Sequence, residues 1–382
     1  QSTVYSLQST VYSLQSTVPS MYPIHPDPAR AETLPTDFYL SAEAWEACRD
    51  RIFAKSWQFL GDEQLLFAGP ENLHPLSLLE NYLDEPLLLS RQQDESIKCL
   101  SNVCTHRGML LAQHPKQARK ITCAYHGRRF GLDGQFEHMP EFKGAEDFPR
   151  PCDHLHELPL KKWRQFLFSG VDPSVDFEAI VEKLESRLYF LDFENFTFRP
   201  ELSKTYNVSA HWALYLDNYM EGFHVPFVHN DLGALLDYGS YTTIPDGDVI
   251  WQIGYASKED FTFDFPADHP DYGRDVTAYY IWVYPNFMLN IYPWGVQLNV
   301  VRPVSPTFTK VEFLYYIHDD ETFQRMNGAQ LAEKTEREDE FVVEAVQKGL
   351  RSQFYRTGRF SPAREKGVHH LHRLFSVGLG EK

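Results

Sequence analysis

Two short stretches, Cys104-Thr105-His106 and Cys123-Ala124-Tyr125-His126, stand sixteen residues apart in a chain of 382. They constrain its fold more than any other feature. Each offers one soft thiolate and one imidazole, so the two loops have to meet if they are to hold one metal centre. Arg107-Gly108 follows the first pair and Gly127 the second, which predicts tight turns that aim backbone N–H groups at the centre. The surrounding text, from Trp57 to about Leu160, consists of short apolar runs (QFLG, PLLLS, KCLSNVC, KITCAYH) punctuated by Gly, Pro, Asn and Asp. That pattern reads as a compact β module.

Two thiolates on one iron and two imidazoles on the other describe the Rieske form of a [2Fe-2S] cluster, in which the imidazoles raise the potential. A tetrahedral zinc site could use the same four residues, but zinc sites usually pair cysteines on one knuckle. The other cysteines, Cys48, Cys99 and Cys152, read as small apolar residues. Five cysteines are too few for a disulfide framework, and a reducing, cytoplasmic location is expected. A net charge of -17 argues against nucleic acid as a partner, and no run of eighteen apolar residues suggests a membrane span.

A second set of metal-binding side chains lies in Asp217-Asn-Tyr-Met-Glu-Gly-Phe-His-Val-Pro-Phe-Val-His229. Asn218, Glu221 and His224 are three apart, near one face of a helix expected over about 210–222. Pro226 disfavours its continuation, so His229 can swing back toward His224. Two imidazoles and one carboxylate on one side of a metal leave the opposite positions free for dioxygen and substrate. The carboxylate is sought in a helix over about 328–350. There Val342, Val343, Val346 and Leu350 fall three, four, seven and eleven residues beyond Asp339 and place it on the apolar face. A carboxylate facing a core is costly unless a cation holds it. Glu338, on the flank, is the fallback; Glu336, Glu340 and Glu344 are expected on the solvated side.

The chain opens with QSTVYSL repeated at Gln8 and begun again at Gln15, so residues 1–20 read as a low-complexity leader foreign to the fold, with Met21 as a possible natural start. Residues 21–56 read as a lead-in packing on the catalytic domain, 57–160 as the cluster domain and 161–382 as the catalytic domain. A short helix over 177–188 and strands at AYYIWVY, FMLNIY, VQLNVVRPV and KVEFLYYI make the class α+β, with helices around an antiparallel sheet. Basic residues from Lys348 through Arg351, Arg356, Arg359 and Arg364 to Arg373 are read equally as a solvated surface or as contact with an acidic partner.

Taken together, CTHRG...CAYHG, NYMEGFHVPFVH and EDEFVVEAVQKGL resemble the alpha subunit of Rieske non-heme iron oxygenases, the aromatic-ring-hydroxylating dioxygenase superfamily, over about residues 33–374. The resemblance implies an antiparallel Rieske domain plus a helix-grip-like catalytic domain. It implies Cys104 and Cys123 on one cluster iron, His106 and His126 on the other, and His224, His229 and Asp339 on a mononuclear Fe(II) that uses O2. Glu221 then matches the carboxylate that links a cluster histidine of one subunit to an iron histidine of its neighbour, with Asn218 as a supporting residue. A homotrimer closing head to tail is implied as well. Glu at position 221 and the stretch VYPNFMLNIYPW look like the choline monooxygenase and carnitine oxygenase branch, which implies hydroxylation of a quaternary ammonium compound. Rings from Trp282, Tyr284, Tyr292 or Trp294 could supply its cation-π face. An aromatic-ring dioxygenase with a small beta partner is the alternative, and a Rieske electron carrier is the alternative of another class. One departure stands out: Arg128-Arg129 follows Gly127 where the family usually has Trp. No glycine-rich dinucleotide fingerprint is present, so a separate NAD(P)H-dependent reductase, with or without a ferredoxin, is expected to deliver electrons.

Overall fold

The computed structural model of the chain describes residues 20–257 and 261–380. The repeated leader lies, up to residue 19, outside the described residues. Among them, no helix is long and apolar enough to cross a membrane.

Residues 58–169 form three small antiparallel sheets. One holds Leu73–Leu78, Glu85–Arg91, Ile97–Ser101 and Glu157–Leu158; a second holds Ile121–Thr122, Arg129–Phe130 and Phe136–His138; a third holds Gln58–Asp62, Phe166–Ser169 and Leu160–Trp163. The rest is organised by an eight-stranded antiparallel sheet. Six of its strands follow one another as a meander: Thr242–Asp246, Val249–Tyr255, Val276–Val283, Phe287–Tyr292, Gly295–Ser305 and Phe308–Ile317. Thr197–Phe198 and Lys204–Val208 both pair with the last of these.

Side chains alternate across a strand, so each strand serves two different cores. One face presents Trp251, Ile253, Tyr279, Ile281, Leu289, Ile291, Leu298 and Val300 to a cluster that includes Phe59, Phe166 and Phe168 of the β module. The Phe177–Leu188 helix closes that cluster. Asp176 caps it by accepting from the amides of Glu178 and Ala179, and Phe177, Ile180, Leu184 and Leu188 recur at helical spacing on its buried side. The opposite face presents Ile250, Trp282, Met288, Phe313 and Tyr315 to the helices Trp212–Tyr219, Gly328–Gly349 and Lys366–Gly378. Fold class and strand positions follow the sequence expectation.

The Lys366–Gly378 helix was not anticipated. Its charged residues masked an apolar stripe, Val368, Leu371, Leu374 and Phe375, which is buried. Phe375 stacks on Phe38 of the N-terminal segment at 6.1 Å and meets Trp212 at 5.0 Å. Part of the basic tail is therefore tied to the chain itself: Arg359 donates to the carbonyls of Ala29 and Ala31, and Arg364 lies 4.1 Å over the Tyr238 ring.

Candidate metal centres

The two cysteine loops are built alike. The amide of Cys104 donates to the carbonyl of Met109 and that of Cys123 to Arg128, while Gly108 and Gly127 donate back to Cys104 and Cys123. Both glycines have φ of +72°, a left-handed turn that favours a residue without a side chain. The cysteines are 2% exposed and point inward, and the imidazoles of His106 and His126 lie nearer the surface with ring centroids 4.8 Å apart. Nδ1 of His126 is buried without any hydrogen-bond partner, an atom that a metal would satisfy. Burial, and then the neighbouring His126, Arg107 and Arg128, lower the basicity of His106, favouring the neutral ring a metal requires.

Arg128 is buried at 1% exposure. One Nη donates to Asp153 Oδ1 at 2.7 Å and to the Asp153 carbonyl at 3.1 Å, and the guanidinium lies 4.9 to 5.7 Å from the centroids of Phe130, Phe136 and Phe148. The Thr105 hydroxyl of the first loop donates to that same carbonyl at 2.9 Å. Asp153 thus joins both loops from beneath. Arg129, by contrast, is exposed and faces Glu137.

The second centre gathers residues more than a hundred positions apart. The helix over Trp212–Tyr219 ends sooner than expected, so Glu221 lies in the following turn and not on a helical face. Its carboxylate turns back to accept from the amides of Phe223 and His224, the latter at 3.0 Å. Gly222 is needed there, because a Cβ would sit 2.7 Å from the Tyr241 ring. Pro226 sits in the first turn of the short helix Val225–Val228, where its missing N–H costs nothing, and this brings His229 back beside His224. The helix Gly328–Gly349 is fastened to the same region: Glu344 accepts from the Ser209 amide at 2.9 Å and Gln347 from the His211 amide at 2.7 Å.

Three ligand atoms converge. His224 Nε2 and His229 Nε2 are 3.1 Å apart, His229 Nε2 and Asp339 Oδ1 3.0 Å, and His224 Nε2 and Asp339 Oδ1 3.6 Å. Donor atoms about 2.1 Å from one first-row ion and at right angles to each other lie about 3 Å apart, so the trio matches one face of such an ion. Each imidazole is held from behind at 2.7 Å, His224 Nδ1 by Glu221 and His229 Nδ1 by Glu338. Those carboxylates fix the tautomer and leave Nε2 as the free acceptor. Burial alone would depress His229, but Asp339 and Glu338 outweigh it and hold the ring above its ordinary value.

Glu338 is therefore not the alternative ligand but the partner of His229. A second correction concerns Glu336, expected in solvent: it is 3% exposed, accepts from Tyr215 OH at 2.6 Å, and burial pushes its carboxyl well above the usual range. Glu344 also has a fixed role, as above, and Glu340, its side chain only 13% exposed, is paired with Arg337 at 2.8 Å. The expected apolar face is rotated. Val346 is 43% exposed, and the buried stripe runs through Glu336, Val343, Gln347 and Leu350.

A cavity of about 110 Å³ opens beside the three ligand atoms. Asn218 lines it, with Tyr280, Tyr292, Trp294 and Tyr315 on the sheet side. Trp282 and Tyr284 do not; they share the sheet face but pack farther along, Tyr284 beside Phe375. Sequence reasoning missed Asn290, Gln297 and Asn299, which also line the cavity. Their signal was present, as polar residues alternating with aliphatic ones in strands too apolar to be surface strands.

Comparison with known proteins matches the two segments that carry these centres. The sequence profile of the Rieske [2Fe-2S] domain matches residues 72–149, and that of the ring hydroxylating alpha subunit (catalytic domain) matches 196–376. The chain belongs to the Rieske oxygenase family. As a family member it uses a Rieske [2Fe-2S] cluster, a mononuclear iron and O2. It is 29% identical to choline monooxygenase of Beta vulgaris, over 90% of this chain and 76% of that one. It is 27% identical to the carnitine monooxygenase oxygenase subunit of Escherichia coli K12, over 92% and 94%. In fold it is similar to a quaternary ammonium Rieske monooxygenase (TM-score 0.73, 23% identity, 93% and 99% covered). Naphthalene 1,2-dioxygenase from Rhodococcus sp. has the same Rieske oxygenase fold (TM-score 0.70, 16% identity, 92% and 95% covered).

Proposed function

We propose that this chain is the terminal oxygenase component of a multicomponent Rieske oxygenase that hydroxylates a small quaternary ammonium compound next to nitrogen, ending in N-dealkylation. The carrying observation is the convergence of His224, His229 and Asp339 at the edge of an aromatic chamber. Cys104 and Cys123 would hold one cluster iron, His106 and His126 the other, and the converging trio the mononuclear iron. When bound, these groups supply single electrons and a place for O2 to be activated beside substrate.

The protein's own residues do the rest. Glu221 and Glu338 keep two imidazoles oriented, and the walls of the chamber exclude water and offer ring faces to a cation. Glu221 would link His224 to a cluster histidine of a neighbouring subunit, in a homotrimer closing head to tail. Exposed apolar side chains support that arrangement at both ends: Phe223 and Phe227 beside Glu221, Leu110 and Tyr125 beside the cluster histidines. A separate NAD(P)H-dependent reductase supplies the electrons, in the cytoplasm, where five unpaired cysteines stay reduced. The division is a lead-in at 21–56, a cluster domain at 57–160 and a catalytic domain at 161–382; the core around Cys104 and Cys123 lies within the second, the lead-in shares a core with the third, and Trp57 and Phe59 join the second to it.

Iron and acid-labile sulfide per chain, measured on anaerobically purified protein together with the EPR of the reduced form, test the reading. Three irons, two sulfides and a Rieske signal are expected. Two irons that stay two after Fe(II) reconstitution would leave an electron carrier instead.

A further inference from the structure

We infer that the substrate is a small onium cation without a carboxylate, and that Glu336 is its counter-charge. This deepens, and rests on, the oxygenase reading above. The chamber is lined by three acidic side chains, Glu221, Glu336 and Asp339, and among the described residues by no Lys or Arg. Two of the acids are committed. Glu221 is bound to His224 and two backbone amides, and Asp339 Oδ1 meets the histidine pair. Glu336 is not. Its Oε2 accepts from Tyr215, while its Oε1 is buried and has no hydrogen-bond partner.

Burial pushes that carboxyl well above the usual range, and a cation seated against its unpartnered oxygen would offset the burial and draw it into the ionised form. The aromatic lining suits the same ligand. Tyr292 stacks on Trp294 at 4.9 Å and 14°, and Trp294 on Tyr315 at 6.2 Å and 19°, a row of near-parallel rings lining the chamber. Ring faces attract a cation electrostatically, most strongly when water is excluded. Asn299, whose side-chain oxygen is buried without a partner, adds an acceptor for a substrate hydroxyl.

A zwitterion would have to place its carboxylate among acids and ring faces. Among the described residues no Lys or Arg lines the chamber; Arg337, next to Glu336 in the chain, is bonded to Glu333 and Glu340, and two further bases stand in the neighbouring cleft. Lys334 is bonded there to Asp231 at 2.6 Å, and Arg325 is exposed with its guanidinium 5.0 Å over Phe261. A chamber that offers a carboxylate no base to pair with disfavours betaines.

Calorimetric titration of the intact iron-loaded protein, without reductase or dioxygen, separates the possibilities. The probes are choline, its uncharged isostere 3,3-dimethylbutan-1-ol, glycine betaine and L-carnitine. Choline is expected to bind about tenfold or more tightly than the isostere and than either zwitterion. Glu336→Gln should bring choline and the isostere to within about threefold while leaving the isostere's own affinity unchanged. Should that variant fail to fold, the four-ligand comparison on the parent protein stands alone as the test. A zwitterion binding more tightly than choline would overturn the inference and leave the quaternary ammonium reading intact, as would a Glu336→Gln protein that kept the full preference. Failure of choline, glycine betaine and L-carnitine alike to bind would overturn both.

Discussion

Replacing Arg128 by Met tests how the cluster loops are held. The long apolar stem is kept, but the charge and both bonds to Asp153 are lost, in a pair whose side chains are 2% and 11% exposed. Removing one partner of a buried pair typically costs about 3–5 kcal/mol, because the other charge stays behind. Asp153 Oδ2 would still accept from the Arg150 amide at 2.8 Å, which places the expected loss near the low end of that range. With a urea slope of about 2 kcal/mol per molar, a loss of about 3 kcal/mol lowers the midpoint by about 1.5 M. The visible circular dichroism of the cluster is the local probe. Adding Asp153→Asn to the Met variant removes the stranded charge and should restore more than half of the loss. A single variant within about 0.3 M of the parent, or a double variant no better than the single, would refute the argument that a charge pair braces the two loops.

Asp339→Ala should abolish binding of the third iron while sparing the cluster's visible spectrum and both sulfides; iron counting and that spectrum decide it. Glu338→Gln keeps the shape behind His229 but weakens the hold on Nδ1, and a fall of about 10–100-fold in Fe(II) affinity is expected on titration of the chelated protein. The Asp153 carboxyl is pushed up by burial, yet the Arg150 amide and the Arg128 guanidinium more than offset this and hold it below the ordinary carboxylate range. Its stabilisation is thus present above the unfolded value of about 4 and is lost as pH falls through the lower folded value. The urea midpoint should drop below pH of about 4, and less so in Arg128→Met. A variant with the same acid profile as the parent would separate that drop from this pair.

Much of this was legible because local chemistry and global fold agreed. Cys104, His106, Cys123 and His126 announce their loops by residue type and by the glycines that follow. Asp339 was found by its position among valines, although the reason was only partly right: Val346 is exposed, and the helix is buried by Gln347 and Glu336 as much as by Val343. Buried polar residues look like surface in a sequence, which hid Glu336, Asn299 and Gln297. The Lys366–Gly378 helix was hidden by its histidines and basic residues. His372 is buried against Asp217 at 2.8 Å, a contact across 155 positions that no local pattern encodes. The place of Glu221 depended on where a helix stops, and helix ends are set by caps and close approaches such as Gly222 against Tyr241.

The alternation of the central sheet has an evolutionary consequence. Tyr280, Asn290, Tyr292, Gln297, Asn299, Phe313 and Tyr315 face the chamber, and their immediate neighbours Tyr279, Leu289, Ile291, Leu298 and Tyr316 face the core shared with the β module. Substitutions at the first group can alter which molecule is accepted without loosening the joint between the two halves. Those at the second alter the joint without touching selectivity. Diversification of such a chain can therefore proceed by point changes at every other residue, whereas a single-residue insertion within a strand would exchange the two roles and forfeit both.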